Sequence, residues 1–239
     1  MSNTDQEFEL EEPLQRRRFM LLGGAGLVTI GLGAFTEGLV GKATEPLNQQ
    51  VESLIFNPQK PVPEFALTAI EPEKLLINSF RGTPKIDPVT YRLAIAGAVA
   101  RPLSLSMAEI QKLPLTSMVI RHVCVEGWAA IVQWAGVRLA DLIGLAQPKS
   151  QARYAYFESA DGYYESWDLA SAMHPQTLMA YQKNGQPLEP AYGAPLRLAS
   201  PIKLGYKQSK WVTSIMLTNE LLPRKGYWED IGYEWFAGL

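Results

Sequence analysis

The 239-residue sequence predicts an α+β domain, mostly β, on mixed or antiparallel sheet, set behind an N-terminal address and an extended leader. Three observations predict it. Short runs such as residues 91–97 alternate apolar and polar side chains, the period of a half-buried strand. Helical signals are brief and scattered, without regular βαβ spacing. A composition of 47% hydrophobic and 19% charged residues belongs to a packed globule.

Residues 1–15 are polar and acidic. Arg16, Arg17, Arg18 and Phe19 then precede an apolar, Gly-rich run over residues 21–35. A basic n-region before a short apolar h-region makes a signal segment. The Arg-Arg-x-Phe pattern has the form of a twin-arginine signal, which implies export to the periplasm. The run is shorter than the roughly 20 residues that a membrane span needs. Residues 1–43 are therefore assigned to the address, cut after Ala43 or kept as an anchor. Residues 44–72 hold five prolines and read as an extended leader lying over a surface. Residues 73–239 form the folded domain.

Within that domain the elements follow in order. Residues 91–97 are a strand. Ser106 and Glu109 are spaced as a capping box, opening a helix to about Leu113. Residues 118–125, apolar and β-branched, form a buried strand running into Cys124. Residues 138–145 are an amphipathic helix. Residues 153–159 and 163–167 are strands joined at Asp161-Gly162. Asp168 caps a short helix through Met173. Asn184-Gly185 is a hairpin turn. Arg197 lies in an apolar strand, and residues 211–218 are the last strand.

The chemistry-bearing residues fall in four segments. Residues 121–128, Arg-His-Val-Cys-Val-Glu-Gly-Trp, place the only cysteine at a strand end. On the residues alone Cys124 is a buried structural thiol, a nucleophile with His122 two residues away on the same strand face, or a soft metal ligand. Glu126 shares its side and can relay protons or cap a turn. Residues 174–180 begin with His174, which ends a short helix where the dipole favours it. Residues 193–211 alternate glycines, hydroxyls and basic side chains, able to wrap an anion or to face water. Arg197, in an apolar strand, wants an anionic partner. Residues 78–88 form a polar loop, another anion contact or a capped surface turn. Two histidines and one cysteine exclude a multi-histidine zinc site, a disulfide and a haem or iron–sulfur centre. The body beyond residue 43 carries equal numbers of acids and bases, which gives no reason to bind nucleic acid.

Taken together and in this order, the four segments resemble the molybdopterin-binding domain of the sulfite oxidase superfamily, in particular the catalytic subunits of bacterial periplasmic methionine sulfoxide reductases. The resemblance runs from about Leu75 to Trp235. It rests on Cys-Val-Glu-x-Trp with the later Trp134-Ala135-Gly136, on His-Pro-x-Thr-Leu-Met, and on Gly-Ala-Pro-x-Arg-Leu followed by Tyr-Lys-x-x-Lys. It implies a sulfite-oxidase-type fold, here without the additional C-terminal dimerisation domain, and a monomer. It implies molybdenum on a molybdopterin cofactor with Cys124 as its protein ligand. Its pterin contacts fall on Asn78, Arg81, Gly82, Ser159, Tyr192, Arg197, Gln208, Ser209 and Lys210. Tyr192 stands where the reductases have asparagine, Ser159 where they have threonine, and Ala129 where relatives often have serine.

The activity the resemblance implies is oxygen-atom transfer, with electrons exchanged with another protein, a membrane b-type cytochrome or a soluble cytochrome. Reduction of a sulfoxide or N-oxide is the expected reaction, and oxidation of sulfite the alternative. The negative charge of Glu126 repels a dianion. Trp128, Trp134, Tyr163, Tyr164 and Tyr192 are expected to line an aromatic mouth suited to a neutral sulfoxide. Arg81 and Lys207, on loops, are the cations that would otherwise serve sulfite. A hydrolase built on Cys124 and His122, and a non-catalytic binding protein, are the other readings.

Overall fold

The structure is a computed structural model and describes residues 57, 58 and 60–239. The twin-arginine pattern, the apolar run and the start of the leader lie outside the described residues.

Among the described residues ten strands form two sheets. The first has the order β2 (Leu103–Ser106), β1 (Arg92–Gly97), β10 (Val212–Thr218), β5 (Tyr154–Ser159), β6 (Tyr164–Asp168). Only β1 and β10 pair in parallel; the other neighbours are antiparallel. The second runs β3 (Thr116–Val123), β4 (Ala129–Arg138), β7 (Leu178–Lys183), β8 (Gln186–Pro187), with β9 (Arg197–Ala199) also on β7. All its pairs are antiparallel. Four short α-helices accompany the sheets among the described residues: α1 (Met107–Ile110), α2 (Leu139–Leu145), α3 (Leu169–Ala172) and α4 (Tyr227–Asp230). Mixed, β-dominated sheet with brief helices is the architecture expected from the sequence.

Local chemistry explains the elements. In β1 the alternation buries Leu93 and Ile95 and exposes their neighbours. α1 carries both halves of its capping box: Ser106 accepts from Glu109 N, and Glu109 accepts from Ser106 N at 2.8 Å. The helix stops at Ile110 rather than about Leu113. α3 is capped by Asp168, which accepts from Ser171 N at 2.7 Å. Asn184 and Gly185 both have positive φ, as a two-residue hairpin turn requires.

Two strands escaped the sequence reading. β2, Leu-Ser-Leu-Ser, alternates but is only four residues long, and none of them is fully buried. β4 is buried on both faces along most of its ten residues, so no period-two signal exists to find. At Gly136 the backbone of β4 is pressed against that of β7. A Cβ there would overlap the Met179 carbonyl oxygen and sit 2.6 Å from Ala180 Cα. The Trp-x-Gly pattern thus marks a backbone contact that tolerates no side chain.

The core is divided. One cluster packs under the first sheet around Leu93, Phe157, Trp167, Ile215 and the apolar face of α2. A second packs under the other sheet around Ile120, Val132, Trp134 and Leu178. Residues 62–71 are hydrogen-bonded to the second sheet and to the segment that leads into β7. Phe65 N donates to Val119 O at 2.9 Å, and Glu71 N to Ile131 O at 2.9 Å. The Gln176 amide bonds both the N–H and the C=O of Val62.

Candidate active site

β3 delivers the site. It buries Met118, Ile120 and His122 and leaves Arg121 outside, over the Phe65 ring at 5.3 Å. After Val123 the chain reverses. Cys124 N donates to Trp128 O at 2.9 Å and Gly127 N to Cys124 O at 3.2 Å, with Gly127 at φ +90°. That left-handed conformation suits glycine, and no atom lies within 4 Å of where its Cβ would be. The turn sets the half-buried Cys124 thiol in the wall of a cavity of about 370 Å³.

Glu126 ties the turn together. Its carboxylate accepts from Asn78 Nδ2 at 2.8 Å, from Trp128 Nε1 at 3.0 Å and from the Cys124 thiol at 3.7 Å. The Trp128 and Asn78 hydrogen bonds hold it below the usual carboxylate range, so it is ionised at neutral pH. Burial, with the charge of Glu126, pushes the Cys124 thiol up. His122 is buried and held down to about 3, first by desolvation and then by Arg197. Its ring packs on Trp128 and Trp134, and among the described residues no hydrogen bond joins it to Cys124. A raised thiol beside a neutral imidazole is the opposite of an activated cysteine–histidine pair. The hydrolase reading has no geometry here.

Of the residues singled out from the sequence, the structure brings Asn78, Cys124, Tyr192, Arg197, Gln208, Ser209 and Lys210 to this cavity. Arg81, Gly82 and Ser159 are not in its lining. Arg81 is exposed and stacks on Phe80 at 4.9 Å. Ser159 is buried at the end of β5, with its hydroxyl unpartnered among the described residues.

Two of the residues in the lining turn their donors inward. Gln208 Nε2 gives both hydrogens to the Ser200 and Lys203 carbonyls at 2.9 Å. Ser209 donates its N–H, at 2.8 Å, and its hydroxyl to Glu165. Arg197 and Lys210 differ. Arg197 is 5% exposed, stacked on Trp134 at 4.4 Å, and its guanidinium meets the carbonyls of Leu198, Tyr192 and Gln208. Lys210 Nζ meets the carbonyls of Asn78 and Ala191. Neither makes a carboxylate ion pair among the described residues. Desolvation pulls Arg197 down to about 9 and Lys210 to about 8. Trp211, next to Lys210, takes φ +54°, a strained conformation for a bulky side chain and one that gathers at functional sites.

The aromatic mouth differs from expectation. Trp128, Tyr163 and Tyr192 line it. Trp134 instead lies fully buried beneath Arg197, and the Tyr164 hydroxyl is engaged with Asp230 at 2.6 Å. Phe80, Tyr206, Trp211, Tyr227 and Trp228 add further rings, Phe80 and Tyr227 in contact at 4.4 Å. The adjacent pair Tyr227-Trp228 was the available sequence signal. Lys207 is not a loop cation: its side chain enters the interior, pairs with Glu229 and donates to Ser166 O at 2.8 Å.

Residues 80–228 match the oxidoreductase molybdopterin-binding domain family. The chain belongs to that family. It is also 35% identical over 243 residues, 96% of this chain and 89% of the other, to a protein of Azospira oryzae provisionally named protein-methionine-sulfoxide reductase subunit YedZ1. The fold is similar to the sulfane dehydrogenase SoxCD of Paracoccus pantotrophus, with a TM-score of 0.56, 23% identity, and coverage of 58% of this chain and 41% of that chain.

The cavity fits the family's molybdenum-bearing molybdopterin. Arg197 and Lys210 are desolvated cations whose nearest partners are only carbonyls, the setting in which an anionic group is favoured. No group of three or more His, Cys, Asp or Glu side chains gathers among the described residues. A metal beside Cys124 must therefore bring its other ligands with it, as a dithiolene pterin does.

Proposed function

We propose that this chain reduces a sulfoxide, of the methionine sulfoxide kind, or an N-oxide, outside the cytoplasm, with Cys124 as the protein ligand to molybdenum. The observation that carries the reading is the wall around Cys124: an ionised Glu126 at 3.7 Å from the thiol, set among aromatic rings. A neutral sulfoxide suits that surface, because sulfur rests well against ring edges and a dianion meets the repulsion of Glu126. The two loop cations that would have served sulfite are elsewhere, Arg81 outside the lining and Lys207 in its own ion pair.

When bound, the cofactor supplies the two-electron redox chemistry and the oxygen-atom transfer. The residues do the rest. Cys124 gives up its proton on ligation, and Glu126 Oε2, already its acceptor, is placed to receive it. Asn78 and Trp128 hold that carboxylate in place. Arg197 and Lys210 are the cations offered to the anionic end of the pterin, from carbonyl-lined seats that fix their direction. Reduction of a sulfoxide to thioether and water consumes two protons and two electrons; Glu126 is the titratable group next to the thiol that can pass protons in. Electrons come from another protein, for which a haem-bearing membrane or soluble cytochrome is the partner proposed. Among the described residues no helix is long and apolar enough to cross a membrane.

Steady-state assays on molybdenum-loaded protein, with a dye as electron donor, test the reading. Methionine sulfoxide reduction should far exceed sulfite oxidation in kcat/KM. Sulfite oxidation orders of magnitude faster would overturn it.

A further inference from the structure

Behind the 208–210 segment sits a buried ionic cluster that the proposed reaction does not use. Glu165, on β6, has no exposed surface. It accepts from Ser209 N, from the Ser209 hydroxyl and from Trp167 Nε1 at 3.0 Å. Lys207, also fully buried, pairs with Glu229 from α4, whose other carboxylate oxygen is buried and unpartnered among the described residues. The ionisable groups in electrostatic reach of Glu165 are Lys207, Glu229, the phenols of Tyr163 and Tyr206, and Arg197 from β9. Two carboxylates and one ammonium leave this interior one negative charge in excess. Arg197 is the cation on the far side of the Gln208–Ser209 peptide: its Nη2 bonds the Gln208 carbonyl at 3.3 Å while the Ser209 N–H bonds Glu165 at 2.8 Å, so the two charges face each other across one peptide group without a direct ion pair.

Arg197 also lines the cavity, so it is shared between Glu165 and whatever anion enters. Buried charge is tolerated only when paired. An anion on the cavity side takes up the field of Arg197 and leaves Glu165 uncompensated. We propose, on the footing of the cofactor reading above, that Glu165, set across the Gln208–Ser209 peptide from Arg197, takes up one proton when the anionic pterin binds on the cavity side of Arg197. The protonated carboxyl loses one acceptor oxygen but keeps the other for Ser209, so the 208–210 segment stays in place. The poise is suitable: desolvation pushes Glu165 up to about 7 despite the opposing pull of Lys207. A small change in nearby charge then decides its state.

The sign follows from linkage. If binding raises the affinity of Glu165 for a proton, binding is favoured at low pH and weakens as pH rises above about 7, by up to about tenfold per pH unit for one proton. Infrared spectroscopy of cofactor-loaded protein, compared with the same protein stripped of cofactor, tests this near neutral pH. The loaded wild type should gain the carbonyl stretch of a protonated carboxylic acid, and loaded Glu165→Gln should lack it. Pterin release, followed by its fluorescence, should accelerate with rising pH in the wild type and be nearly flat in Glu165→Gln. Loaded wild type without the acid band, or a variant with the wild-type pH profile, overturns the proposal while leaving the cofactor reading intact. If Glu165→Gln does not fold, the wild-type band alone decides. Protein from a molybdopterin-producing host that holds no pterin at any pH overturns the cofactor reading itself, and this proposal with it.

Discussion

Arg197 and Lys210 both face the cavity, yet they will not respond alike to truncation. Arg197 covers Trp134 and holds three carbonyls. Removing its side chain leaves those acceptors buried and unpaired, so Arg197→Ala should unfold the site along with emptying it. The cradle hypothesis is better tested at Lys210, which is partly exposed and bonds two loop carbonyls. Lys210→Ala is expected to weaken pterin binding by about 1.5–3 kcal/mol, the range of a charge-assisted hydrogen bond, with little change in Tm. Pterin quantification beside a melting curve checks it; full retention would place Lys210 outside the cradle. Single residues were unevenly legible. Cys124 stood out because it is the only thiol and ends an apolar strand. The inward turn of Lys207, Gln208 and Ser209 did not, because a run of basic and polar residues reads as solvated until the carboxylates behind it, Glu165 and Glu229, are known.

The pairing of β4 with β7 depends on one missing side chain. Gly136→Ala would drive a Cβ into the Met179 carbonyl, and backbone cannot yield as a side-chain tip can. A loss of at least about 2 kcal/mol in unfolding free energy is expected from such overpacking, read as a lower urea midpoint with an unchanged slope. An unchanged midpoint would mean that β4 and β7 part easily. This strand also shows where sequence reading stops. Elements with an amphipathic face announced themselves: β1, α2, and the hairpin at Asn184-Gly185. β4 lies buried on both sides and carries no alternation, and Trp-x-Gly entered only as a motif of the family resemblance, so the tight backbone contact at Gly136 was not legible. The cysteine turn was half visible. Its glycine and its carboxylate were evident in the chain, but the partner that fixes Glu126, Asn78, arrives from a loop 48 residues away.

At the scale of the molecule, the leader is fastened to the second sheet partly through His174. Its Nδ1 accepts from Gln176 N at 3.1 Å, so Nε2 carries the hydrogen directed at Lys60 O, also at 3.1 Å. Protonation at Nδ1 destroys the first bond, and desolvation holds this histidine below its usual value. Its contribution to stability is therefore present above about pH 6.5, the ordinary histidine value, and is lost as pH falls from there toward the depressed folded value. Urea midpoints measured from neutral to acid pH should fall more steeply in the wild type than in His174→Gln; equal slopes would assign the acid sensitivity to other groups. The fold, the sheet order and the cavity all converge on one claim, that a lone strand-end thiol takes part in holding a molybdenum cofactor. Elemental and pterin analysis of protein made in a molybdopterin-producing host, wild type beside Cys124→Ser, tests it most directly. About one molybdenum and one pterin per chain are expected in the wild type, with altered or weakened metal coordination and no oxidoreductase activity in a folded serine variant. Wild-type protein without molybdenum, or a serine variant with full activity, would contradict the account.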